Sequence, residues 1–194
     1  PREQRKTDEL LFVGRLVEKK GVHFLLEAMP AVLKKHPTTR LILAGSGPME
    51  QELRQQAQRL HLSEKIDFLG MVSQTRLPEL YRTATLAIFP FIVAKSGDQE
   101  GFGLVQVEAM GCECPFIAGD LPAIHDIITH EENGLIFPSG NAQALADAII
   151  KLLDDPELRG RLAVAGRKTV VQKFDWEVIA GKYAGVYDML LQLM

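Results

Sequence analysis

The chain has 194 residues, 46% hydrophobic and 24% charged, and a formal net charge of −3. That length supports one domain with a full core, and the composition is that of a globular protein. The balance offers no basic surface for nucleic acid or an anionic membrane. No apolar run reaches the ~18 residues of a membrane span, and no signal peptide is visible, so a cytoplasmic protein is expected. Cys112 and Cys114 are the only cysteines. Two residues apart they do not bridge, and they lack nearby partners for zinc, so a reduced pair near a strand is expected.

Residues 1–9 are polar and aperiodic and read as a linker. Leu10 to Val13 is a short apolar strand closing on Gly14-Arg15-Leu16. A helix is predicted from Val22 to His36, with Leu25, Ala28, Met29, Val32 and Leu33 at 3.6 spacing and Pro37 beyond. Strand–turn–helix order puts Arg15 and Lys20 at the carboxyl end of a parallel strand, where open α/β sheets bind ligands. A guanidinium and an ammonium there can clamp a diphosphate; a solvated basic loop is the alternative, and Lys19 is read as solvated.

Arg40 to Ala44 is the second strand, ending in Gly45-Ser46-Gly47-Pro48, with Pro48 at the first position of a helix reaching about His61. Glu50 occupies the place of a third glycine, and no acid closes the next strand, so the loop signals a Rossmann-like turn and not NAD. Lys65 to Leu69 is the third strand; Ser73 is expected to cap a helix from Gln74 to Thr83. Leu86 to Phe89 is the fourth, and an irregular loop then leads to Glu100.

Glu100 to Gly111 reads Glu-Gly-Phe-Gly-Leu-Val-Gln-Val-Glu-Ala-Met-Gly. Glycines without Cβ let a ligand approach the backbone, and the apolar segment from Leu104 opens a helix whose free N–H groups suit an anion. Glu108 shares a helical face with Leu104, roughly 6 Å deeper, about the step from a phosphate to its sugar. Either glutamate alone is better explained as a solvated acid near a helix start; position, spacing and the glycines together favour a ligand.

Glu100-x7-Glu108, with Gly-Phe-Gly-Leu-Val after the first Glu, resembles the donor-binding motif of retaining glycosyltransferases of family 4, the glycosyl transferases group 1. Gly14-Arg15-Leu16-x3-Lys20-Gly21 resembles the same family's first loop. The likeness runs from Leu10 to about Tyr187 and matches the C-terminal, nucleotide-sugar half of a GT-B enzyme, in which two Rossmann-like domains face a cleft. It implies catalytic roles for Glu100, Arg15 and Lys20. Arg15 and Lys20, with the N–H groups of Leu104 and Val105, would hold the diphosphate of a UDP-, GDP- or ADP-linked sugar. Glu100 with Gly101, Phe102 and Gly103 would orient the hexose, and Glu108 would accept from the ribose. Met71, Val72 and Leu77 would lie against the base, with ordinary core packing as the alternative. No cofactor and no metal are required. The acceptor would sit in the N-terminal half of the same chain, which would also make any peripheral membrane contact; polysaccharide biosynthesis is one of several pathways left open.

Pro115 to Ala118 is the fifth strand. In the loop after it, Pro122-Ala123, His125 and Asp126 replace the family's two glycines, Pro and Glu. A lone His125 reads as a surface or packing residue. Leu135 to Phe137 is the sixth strand. Asn141, Asp155 and Asp175 are expected to cap three closing helices, the last from Trp176 to Met194. Its stripe of Ile179, Tyr183, Val186, Tyr187, Leu190 and Met194 either packs on this domain or faces the N-terminal half. The expected fold is α/β: a Rossmann-like three-layer α/β/α domain over residues 10–174 with a six-stranded parallel sheet, plus a C-terminal helix over 175–194. Two other classes share this architecture, a sugar-nucleotide epimerase and a non-catalytic nucleotide-binding module.

Overall fold

Successive side chains of a strand point to opposite faces, so a strand apolar throughout must be covered twice. The first strand does this: Leu10 and Phe12 belong to one buried cluster, Leu11 and Val13 to another. The computed structural model describes residues 8–192. They form β1 (Glu9–Val13), α1 (Val22–Lys35), β2 (Arg40–Ala44), α2 (Glu50–Arg59), β3 (Ile66–Gly70), α3 (Leu77–Thr83) and β4 (Leu86–Phe89). Then come α4 (Leu104–Gly111), β5 (Phe116–Gly119), β6 (Leu135–Phe137), α5 (Ala142–Asp154), α6 (Pro156–Lys173) and α7 (Trp176–Gln192). Short 3-10 turns occupy Glu18–Lys20 and Pro122–Asp126.

The six strands lie in the order β3-β2-β1-β4-β5-β6, and every neighbouring pair is parallel. Leu25 and Met29 of α1, Leu53 of α2 and Leu145 and Ile149 of α5 cover one face. Leu77 and Tyr81 of α3 and Ala109 and Met110 of α4 cover the other. This is the expected three-layer α/β/α fold. Strand order reverses between β1 and β4, so the loops leaving these two strands diverge around a crevice at their carboxyl ends.

Several local expectations shift. Asp8 and Glu9 are not linker: Thr38 donates to Asp8 Oδ2 at 2.6 Å, and Glu9 pairs with Arg40 in the ladder. Residues 1–7 of that segment lie outside the described residues. Pro48 falls in a turn before α2, because the Met49 N–H is drawn to the Leu16 carbonyl at 3.1 Å. Ser73 does not cap α3. Its carbonyl accepts from Arg76 and Leu77 in a separate turn, its hydroxyl pairs with Thr75, and the helix starts at Leu77. Asn141, Asp155 and Asp175 each accept a backbone N–H at their helix starts, as expected. No helix of the described residues is long and apolar enough to cross a membrane.

Gly21 joins the first loop to α1 with φ of 65°. A Cβ there would stand 1.8 Å from the Pro90 carbonyl oxygen, just past β4. Left-handed strain and a backbone clash add, so Gly21→Ala is expected to cost about 3 kcal/mol in urea unfolding. Gly97→Ala, at a positive φ but with open space around it, should cost about 1 kcal/mol.

Candidate functional site

Two loops leave the sheet at the reversal of strand order, residues 14–21 after β1 and 90–103 after β4. Backbone and side-chain contacts stitch them together. The Ile92 N–H donates to the Lys19 carbonyl at 3.0 Å, and the Lys95 N–H to Glu18 Oε1 at 3.2 Å. Lys19 Nζ reaches Asp98 Oδ1 at 3.2 Å, and Lys20 Nζ pairs with Glu100 Oε2. Lys19 is therefore not a solvated bystander but a tether on the loop that carries Glu100.

The Lys20–Glu100 pair is well covered, with side chains 13% and 15% exposed, and the Phe91 ring lies 4.6 Å below the ammonium. Each of the two charges satisfies the other.

Gly103, at φ of 72°, turns the chain into α4. The Gln106 N–H folds back to the Gly103 carbonyl at 2.8 Å, whereas the N–H groups of Leu104 and Val105 have no acceptor among the described residues. These two amides stand free at the start of α4, three and four residues past Gly101 in the loop that carries Glu100. Gly101 is exposed, and Phe102, 41% exposed, rests edge-on against Phe174 at 5.8 Å. Beneath the turn, the fully buried Gln106 has neither amide atom partnered.

Glu108 stands one turn further along α4. The buried Tyr81 hydroxyl of α3 donates to its Oε2 at 3.2 Å. Burial pushes the Glu108 carboxyl above its ordinary range, and the Tyr81 bond draws it part of the way back. Burial, reinforced by the Glu108 charge, holds the Tyr81 phenol far above its usual range, so it remains a donor.

Arg15 is exposed and without a partner among the described residues. It lines a cavity of about 460 Å³ with Gly14, Gly45–Gly47, Met71, Val72 and Leu77, at the carboxyl ends of β1, β2 and β3. Such a volume fits a small organic ligand. Met71 is 86% exposed, which excludes core packing for it; Leu77 is buried and belongs to the core as well. Leu77 and Tyr81 are one turn apart on α3, so that helix joins the cavity wall to Glu108. Among the described residues no three His, Cys, Asp or Glu side chains converge as a metal site. His125 is not alone, since its Nε2 shares a 2.8 Å hydrogen bond with Asp120 Oδ1 on the surface.

Residues 1–169 match the family described as glycosyl transferases group 1. The chain belongs to that family. It is 37% identical to the phosphatidyl-myo-inositol mannosyltransferase of Mycobacterium leprae over 92% of its own length and 46% of the relative's. It thus spans about half the length of the curated relatives it matches. The structure of Anabaena Alr3699/HepE in complex with UDP superimposes with a TM-score of 0.83 at 27% identity, over 94% of this chain and 49% of that one. The C-terminal domain of a group 1 glycosyl transferase (LpcC) from Francisella tularensis matches at a TM-score of 0.77 and 28% identity, over 90% of both chains.

Sequence reading brought Arg15, Lys20, Glu100 and Glu108 to one edge of the sheet but missed Tyr81. An aromatic with a polar tip on the buried face of a helix calls for a partner, and that was its signal.

Breaking a covered ion pair strands a charge. Lys20→Met should therefore destabilise the chain by about 2 kcal/mol in urea unfolding, and adding Glu100→Gln should restore most of that. A second effect follows from Glu108. Its folded pKa lies above the unfolded one, so its protonated form stabilises the fold in acid and that contribution disappears as pH rises through the folded pKa. Glu108→Gln should accordingly raise the melting temperature of the empty chain at pH 7, with the gain vanishing in acid.

Proposed function

We propose that this chain is the donor-binding half of a retaining, nucleotide-sugar-dependent hexosyltransferase of family 4. The observation that carries the reading is the direct pairing of Lys20 with Glu100 beside the two free amides of α4, with Glu108 one turn deeper. The mannosyltransferase named above and the UDP complex of the Anabaena protein support it.

In this reading, Arg15, Lys20 and the Leu104 and Val105 amides take the diphosphate and stabilise the departing nucleotide. Lys20 then leaves Glu100, which accepts from hydroxyls of the transferred hexose together with the backbone of Gly101 to Gly103. Glu108 accepts from the ribose. The base enters the cavity walled by Met71, Val72 and Leu77. Charge on the phosphates is met by two cations and a helix start, and no metal ion is assigned.

The acceptor belongs to an N-terminal half beyond these residues, as does any contact with a membrane surface. α7 is the proposed docking element for that half: Tyr183, Val186, Tyr187 and Leu190 are each more than half exposed along its length. Two free cysteines support a cytoplasmic location.

Calorimetry with UDP, GDP and ADP sugars tests the reading on the chain as it stands. Weak binding of one of them, with no transfer, is expected. Arg15→Ala and Glu108→Ala should each weaken that binding about tenfold or more, the usual worth of a hydrogen bond to a charged group. Unchanged affinity in both variants would overturn the assignment.

A further inference from the structure

A carboxylate that must recognise a sugar hydroxyl has to be held in one orientation, and α4 alone does not do this for Glu108. Its side chain ends in freely rotating torsions whose terminal preference is broad. Among the described residues, the hydrogen bond that holds that carboxylate comes from Tyr81 across the α3–α4 contact, at 3.2 Å to Oε2. Tyr81 is 1% exposed and its ring is packed in the cluster that includes Val13, Ala44 and Ala109. The phenol therefore has a fixed position, and the carboxylate takes its orientation from it.

We propose that Tyr81 is a positioning residue for nucleotide-sugar recognition: it fixes Glu108 by Oε2, keeps Oε1 for a ribose hydroxyl, and so sets the preference for ribose over 2′-deoxyribose without touching the ligand. The inference rests on the ribose role given to Glu108 above and adds to it the group that makes that role selective. Leu77, one turn earlier on the same helix, lines the cavity proposed for the base. One rigid helix thus registers base and ribose together. The other titratable groups facing Tyr81 are Cys112 and Cys114, at the end of α4.

The test uses the 194-residue chain, Tyr81→Phe, Glu108→Gln and the double variant, titrated with UDP, GDP and ADP and with the 2′-deoxy counterpart of whichever binds. Tyr81→Phe keeps the ring and should leave the thermal transition cooperative. It is expected to lower the ribose-over-deoxyribose preference about threefold to tenfold, the worth of one hydrogen bond, while the deoxy ligand binds as before. In the Glu108→Gln background the same substitution should have no further effect on the preference. Loss of the Tyr81 hydroxyl also removes what draws the Glu108 carboxyl down. The fall of ribose-ligand affinity in acid should then begin at higher pH in Tyr81→Phe than in the parent.

Equal weakening of ribose and deoxyribose ligands by Tyr81→Phe, or an undiminished effect of it on the preference in Glu108→Gln, would overturn the inference and leave Tyr81 as packing. If Glu108→Gln abolishes the preference while Tyr81→Phe preserves it, the inference fails and the ribose role of Glu108 stands. A parent chain with no preference, unaltered by Glu108→Gln, removes that role and the inference with it.

Discussion

The site depends on the ties between two loops that have no reason, in the sheet alone, to stay together. β1 and β4 are hydrogen-bonded neighbours, but their following helices, α1 and α4, cover opposite faces. The crossovers must therefore part. Lys20 to Glu100, Lys19 to Asp98 and two backbone donors close the gap, with Gly21 pressed against the Pro90 carbonyl at its base. Residues some 80 positions apart are thereby fixed within hydrogen-bond reach. The outcome is a cation, a carboxylate and a helix start in one place, with the crevice between them open to a ligand.

α4 acts as a ruler from that point. In the proposed reading its first amides mark where an anion is favoured, and Glu108 lies one turn below. This arrangement carries a cost. Among the described residues the Leu104 and Val105 N–H groups lack acceptors, Gln106 is buried with both amide atoms unpaired, and Glu108 is partly stripped of water. A protein selected for stability alone would not leave these groups so close together; sites are where local rules are broken. The ion pair of Lys20 and Glu100 offsets some of that cost.

The layered fold was legible because apolar strands and 3.6-spaced helices announce themselves locally. So were the caps: Asn141 and Asp155 need only their own helix to work. The chemistry of Arg15, Lys20, Glu100 and Glu108 was legible from spacing within two short loops and from the resemblance those loops carry. What escaped depends on contacts across the fold. Lys19 looks solvated until β4 brings Asp98 to it, and Tyr81 reads as helix packing until α3 meets α4. His125 lies on the surface, as expected, and only its pairing with Asp120 needed the loop after β5 to bend back. Ser73 has the chemistry of a cap, but its carbonyl is taken by a preceding turn.

In the proposed reading every recognition group lies on one wall. Cations, amides and carboxylates all rise from the carboxyl edge of this sheet, and Arg15 and Met71 remain open to solvent. Such a wall can bind a nucleotide sugar, yet electrostatic stabilisation of a departing nucleotide needs water excluded from the reacting centre, which one surface cannot do. The second wall must come from elsewhere, and the chain spans only about half the length of its curated relatives. α7 bears the matching feature: a row of exposed Tyr, Val and Leu side chains, too large for a surface meant for water alone. In that reading binding and transfer are separated in space, the first assigned to these residues and the second to a facing domain.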